Sequence, residues 1–241
     1  MPPVCIAVDN LVALSATCTT PKNWSTWADS TDPTPEPDQE PNKTSSIPPM
    51  LRRRLTPLGR LALEALARIS PKSDEMIIFA SNWGDVDRSR AWIIQMNEEI
   101  DISPMGFASS VHNAIGAVAS IWLKNTSPYK AICADVFTTE AAFIEAYSQL
   151  IAGEKSIIIV RYDSPLPDIW ASGSQQTIHW PYAWACRVRL PHDQAGQNLR
   201  LRTTDESGKV QDELQELRFL LSNTKLFKHT DVAGGWIWDR I

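Results

Sequence analysis

Apolar residues along the chain follow two periods. Unbroken apolar runs occur at residues 76–80 (MIIFA) and 157–160 (IIIV), with a shorter one inside residues 130–136 (KAICADV). Runs of this length without alternation fit strands buried on both faces, and residues 4–8 add a first strand. Between these runs the spacing becomes helical. Leu58, Leu61, Ala62, Ala65, Leu66 and Ile69 share one face, as do Val111, Ala114, Ile115, Val118, Ala119 and Trp122. Residues 91–100 and 140–152 read as further helices. The order β-α-α-β-α-β predicts parallel strands joined by helical crossovers, hence an α/β domain with a mixed, mainly parallel sheet and helices on both faces. Residues 76–80, 131–134 and 157–160 are its expected central strands.

Local signals set the boundaries. Thr56 followed by Pro57 is a helix start, and Ser70-Pro71 a stop. Residues 28–50 hold Pro33, Pro35, Pro37, Pro41, Pro48 and Pro49 among acids and hydroxyls, which predicts a surface loop with little to bury. Trp24 and Trp27 sit on a short helical turn. From residue 168 to 241 the chain reads as an excursion from the main sheet, with strands at 182–190 and 199–203 and a helix at 214–221. The tryptophans at the end tuck it back onto the core. One domain spans 1–241.

Composition narrows the function classes. With 241 residues, 43% hydrophobic and 21% charged, the chain is long enough for a real core. A net charge of −5 argues against nucleic acid as a partner, because no basic excess exists to release counterions. Cys5, Cys18, Cys133 and Cys186 form no CxxC pair, and the four histidines are scattered, so no zinc site is expected. No glycine-rich phosphate loop occurs, and no cofactor is expected. Asp9 interrupts the first apolar run and no basic segment precedes it, unlike a secretory signal. No apolar stretch approaches a membrane span. Reduced thiols and a cytoplasmic location follow.

One stretch carries chemical information. In SPMGFASSVHNAIGAVASI, Ser103-Pro104 is an extended or turn step, Ser109 or Ser110 can cap a helix, and Gly116 with Ala117 and Ser120 keeps that helix small. After it, the strand at 130–136 turns sharply into the helix at 140–152, a place where a helix N-terminus favours negative charge and a nucleophile. Ser103, Pro104, Phe107, Asn113, Ala114 and Gly116, with that strand and turn, resemble the N-terminal half of β-ketoacyl synthases of the thiolase-like fold. The resemblance extends to the short, chain-length-factor-like homologues associated with aryl polyene and related lipid clusters, supported by Tyr162-Asp163 and Pro165-Leu166-Pro167.

The resemblance implies a thiolase-like half domain and a defined nucleophile position. In that family the cysteine lies eight residues after the proline that opens the strand. Counting from Pro128 places Val136 there, and valine has no nucleophile. The family's two histidines belong to a C-terminal half absent from these 241 residues. The expected function is therefore a non-catalytic accessory subunit in fatty-acid, aryl polyene or polyketide-type chain assembly, working through a ketosynthase or an acyl carrier protein. Gly116, Ala117 and Ser120 are the expected partner contact, and Arg52, Arg53 and Arg54 the carrier contact, by charge steering. Asn113, Cys133, Asp135 and Val136 form the degenerate site. The alternative is an acyl-thioester transferase or hydrolase in which His112 or Asp135 activates Cys133.

Overall fold

The computed structural model describes residues 2–39, 45–171, 178–191, 196–209 and 214–241; Pro41 and Asn42 lie outside them. In chain order the elements are β1 (Val4–Ser15), α1 (Pro21–Ala28), α2 (Pro49–Arg52), α3 (Pro57–Ile69), β2 (Met76–Ala80) and α4 (Val86–Asn97). They continue with α5 (Pro104–Ala108), α6 (Ala114–Leu123), β3 (Tyr129–Ile132), α7 (Thr138–Ile151), β4 (Ile157–Asp163) and α8 (Asp168–Ala171). The last are β5 (Tyr182–Arg189), β6 (Gln197–Thr204), α9 (Gln215–Leu221), β7 (Leu226–Asp231) and β8 (Gly234–Arg240).

The strands form one mixed sheet in the order β3-β2-β4-β5-β1-β6-β8-β7. Among the described residues only β2–β3 and β2–β4 are parallel. The other five neighbouring pairs are antiparallel, so the sheet is mostly antiparallel and the expectation of a mainly parallel one is corrected. Helical crossovers enforce parallel pairing only where they occur, between β2, β3 and β4. The strands of the expected excursion join the same sheet: β5 lies between β4 and β1, and its YAWACRV run is fully buried. Nor are all three predicted parallel strands central. β3 is an edge strand with half-buried side chains.

β1 runs past the predicted residue 8 to Ser15 because its register shifts between Asp9 and Val12, with Asn10 in the left-handed region at φ 51°. Asparagine tolerates that conformation better than most residues. Ahead of the irregularity β1 pairs with both β6 and β5, and beyond it with β5.

Each face of the sheet has its own core. On one, α7, α1 and α9 cover Met76, Ile78, Ile157, Ile159, Trp184, Leu199 and Trp238. On the other, α3 and α6 cover Ile77, Phe79, Ile158, Val160 and Tyr162. The start of α3 is as expected: the Thr56 hydroxyl accepts from the Gly59 N–H at 3.2 Å, with Pro57 in the first turn. The caps around α6 differ. Ser109 and Ser110 donate their hydroxyls back to the carbonyls of Gly106 and Phe107 at 2.7 Å each, and α6 begins after Asn113 with no side-chain cap.

Candidate functional site: the turn after the edge strand

β2, β3 and β4 run parallel and end on the same side of the sheet, where open α/β sheets place their sites. After β3 the chain makes a tight 3-10 turn, Asp135–Phe137, and enters α7. Asp135 sits in the left-handed region at φ 50°. The Thr138 hydroxyl holds this turn, accepting from the Ala134 N–H and donating to the Asp135 carbonyl, each at 2.8 Å. A sharp strand-to-helix turn is thus built as the sequence implied. Asp135 points to solvent and Val136 is half-buried.

Cys133 lies one residue beyond β3, exposed, whereas the sequence placed it inside the strand. Its thiol donates to the Asn82 carbonyl at 3.2 Å. His112 bonds through Nε2 to the neighbouring Ser81 carbonyl at 2.8 Å, and so must carry its proton there. The fold brings Cys133 and His112 to adjacent carbonyls of one turn. No hydrogen bond joins them to each other among the described residues, so they form no thiol–imidazole pair.

The turn they share, residues 81–84, is fixed from below. Asp163, fully buried at the end of β4, accepts from Ser81 Oγ at 2.7 Å, from Asn82 N at 2.9 Å and from Trp83 N at 3.3 Å. Arg161 pairs with the same carboxylate and donates to Asn82 Oδ1 at 3.0 Å. This is a positioning network for backbone, not an open reactive group.

A second buried cluster lies behind the start of α7. Glu140 Oε1 accepts from the Trp238 indole at 3.0 Å and bonds His229 Nδ1 at 2.7 Å, while Thr139 donates to Glu216 at 2.8 Å. The Phe137 ring packs edge-on against His229, with centroids 5.1 Å apart. Burial works against a charged His229, but the adjacent Glu140 carboxylate outweighs it and raises the imidazole to about 9. Burial raises the Glu216 carboxyl to about 7 against the pull of His229, with Glu140 adding to the rise. Sequence reading missed this cluster, because its hydrogen-bonded members are up to 98 residues apart. The alternation of Phe227 and His229 toward one face was the available signal.

The expected contact residues are divided by the fold. Gly116 is buried inside the molecule: a Cβ there would lie 2.6 Å from the Tyr129 ring and 3.1 Å from Phe79. Ser120 donates to the Asn125 carbonyl at 2.8 Å, and Ala117 is half-buried. Beside them Ile121, Val111 and Phe107 are largely exposed. The arginine run also splits. Arg52 ends α2 half-buried, whereas Arg53 and Arg54 are exposed and have no side-chain partner among the described residues. Among those residues no group of three or more His, Cys, Asp or Glu side chains is placed to hold a metal ion. No helix among them is long and apolar enough to cross a membrane.

A mixed sheet between two helical layers, with a strand-turn-helix at the end of its parallel strands, defines a thiolase-like α/β protein. Residues 24–239 match the sequence model of the β-ketoacyl synthase N-terminal domain, and the chain belongs to that family. In fold it is similar to a chain in the structure of a ketosynthase (ApeO) in complex with its chain length factor (ApeC) from Xenorhabdus doucetiae. That match has a TM-score of 0.80 and 21% identity, over 98% of this chain and 99% of the other. It is also similar to the ishigamide ketosynthase/chain length factor, with a TM-score of 0.64 and 10% identity, over 83% of this chain and 67% of that one. A β-ketoacyl synthase from Burkholderia phymatum STM815 matches with a TM-score of 0.52 and 10% identity, over 77% and 59%. No curated protein matches the chain.

Proposed function

We propose that this chain is a non-catalytic, chain-length-factor-like subunit that pairs with a full-length ketosynthase in fatty-acid, aryl polyene or polyketide-type chain assembly. The observation that carries the reading is the turn at 133–138: the family's strand-turn-helix is kept, while Val136 stands at the nucleophile position and Cys133 and His112 each bond a backbone carbonyl. A chain of nearly equal length in the ketosynthase–chain length factor complex supports it. Four free thiols fit a cytoplasmic subunit. Charge contact of Arg52, Arg53 and Arg54 with an acyl carrier protein belongs to the same reading, with Arg53 and Arg54 the more accessible.

The pairing surface is the free edge of β3 with the exposed side of α6. Ile132 turns its carbonyl to Ser81 N at 3.1 Å, so alternation aims the backbone of Lys130 and Ile132 at β2 and that of Tyr129 and Ala131 outward. Ala131→Pro therefore removes an outward N–H while sparing the ladder to β2. The variant, with unfolding temperature checked, should lose co-purification with a co-expressed ketosynthase of the source organism. Undiminished co-purification of the folded variant would refute this surface.

A further inference from the structure

The arginine run and the small-residue helix, far apart in sequence, meet at a cavity of about 390 Å³. Its apolar wall is Leu55, Ala114, Ile115 and Val118, with Gly106 beside them. Arg53, Arg54 and Arg88 line it as well. Arg88 is already committed: it donates to Ser109 Oγ at 2.6 Å and to the Arg54 carbonyl at 2.7 Å, and lies 3.6 Å from Asp85. Arg53 and Arg54 have no such commitment.

Asp85 supplies the second, independent observation. Its side chain lines the cavity and is only 6% exposed. Oδ2 accepts from the Thr56 hydroxyl at 2.7 Å, whereas Oδ1 is buried with no hydrogen-bond partner. Buried carboxylate oxygens are ordinarily satisfied. Burial raises the Asp85 pKa, with the Thr56 hydroxyl and the Arg88 charge opposing. The volume is at the small end of the range for organic-ligand pockets, which starts near about 300 Å³.

We infer that this cavity binds a small amphiphilic anion: a carboxylate or phosphate head against Arg53 and Arg54, a short apolar segment along Leu55, Ile115 and Val118, and a hydroxyl or amide donor for Asp85 Oδ1. Guanidinium groups pair well with both kinds of head. The inference does not depend on the pairing reading, since the cavity is formed by this chain alone.

The test is calorimetric titration of the purified chain, with no ketosynthase present, using octanoate, 3-hydroxyoctanoate and inorganic phosphate as probes. 3-Hydroxyoctanoate should bind about tenfold more tightly than octanoate, the worth of one hydrogen bond to a charged acceptor. The double variant Arg53→Ala/Arg54→Ala should weaken both amphiphiles, and Val118→Phe should block both by filling the cavity. Asp85→Asn should reduce the preference for the hydroxyl. Unfolding temperatures identify variants that are intact, and the double arginine variant changes only exposed side chains. The proposal is overturned if neither amphiphile binds, or if binding is unchanged in the folded Arg53→Ala/Arg54→Ala and Val118→Phe variants. Inorganic phosphate binding as tightly as 3-hydroxyoctanoate would also overturn it, because the arginines would then be a simple anion site.

Discussion

The turn after β3 and the cluster behind α7 treat their polar side chains in opposite ways. At the ends of β2 and β3, Cys133, Asp135 and His112 lie at or near the surface, and Cys133 and His112 bond backbone carbonyls. Behind α7, the antiparallel strands β7 and β8 bring His229 and Trp238 onto Glu140, deep inside the molecule. The place where the family resemblance expects chemistry is thus thinly furnished. A buried, charge-coupled cluster instead holds the C-terminal strands to the helix that follows that turn. A protein organised this way keeps the shape of a site while its buried charges serve the scaffold.

Breaking the buried side of that comparison should have the largest effect. His229→Leu leaves Glu140 buried without its cation. The expected loss is about 3–5 kcal/mol, on the order of 10 °C in unfolding temperature for a domain of this size. Cys133→Ser at the surface turn should change stability by less than about 0.5 kcal/mol. Equal losses in thermal unfolding would erase the distinction.

The pH dependence of stability sharpens the same contrast. His229 is raised from 6.5 to about 9, so its contribution is complete below about 6.5 and lost as pH rises through 9. Glu216 is raised from 4.5 to about 7, so its contribution is complete below about 4.5 and lost as pH rises through 7. Both give the same sign: the unfolding temperature should fall between pH 5 and pH 9. In Glu216→Gln the decline below pH 7 should flatten. A profile that rises with pH over this range would show that the cluster is wrongly described.

The legible part of the fold is the part with simple periodicity. MIIFA and IIIV were strands, and Thr56-Pro57 began a helix, because continuous burial and end-capping leave marks in neighbouring residues. Strand direction was not legible past β4. YAWACRV looks the same whether it pairs parallel or antiparallel, and among the described residues no helix of crossover length separates it from β4 to fix its direction. β7 was missed altogether: LFKHTD has only two large apolar residues, and its His229 is buried through a partner 89 positions away. At the site, the strand-to-helix turn and Val136 were readable from local spacing. The meeting of Cys133 and His112 at one turn was not, because that turn belongs to a third segment.

Two smaller substitutions test whether local signals were read for the right reason. Gly116→Ala should cost about 1–3 kcal/mol by overpacking, since its Cβ would collide with the Tyr129 ring at 2.6 Å. If the glycine served only an external partner, the isolated chain would unfold at an unchanged temperature. Thr56→Ala should cost about 1–3 kcal/mol, through the lost helix cap and the hydroxyl withdrawn from the buried Asp85 carboxylate, visible in chemical denaturation; a neutral result would mean that neither bond of the hydroxyl stabilises the start of α3.

The central claim is that this chain presents the edge of β3 to a ketosynthase. Hydrogen exchange of residues 129–132, with and without a co-purified ketosynthase, tests it most directly. The account predicts that the outward amides of Tyr129 and Ala131 become protected in the complex, while Lys130 and Ile132, already turned toward β2, change little. A complex that forms and leaves Tyr129 and Ala131 exchanging as fast as in the free chain would contradict it.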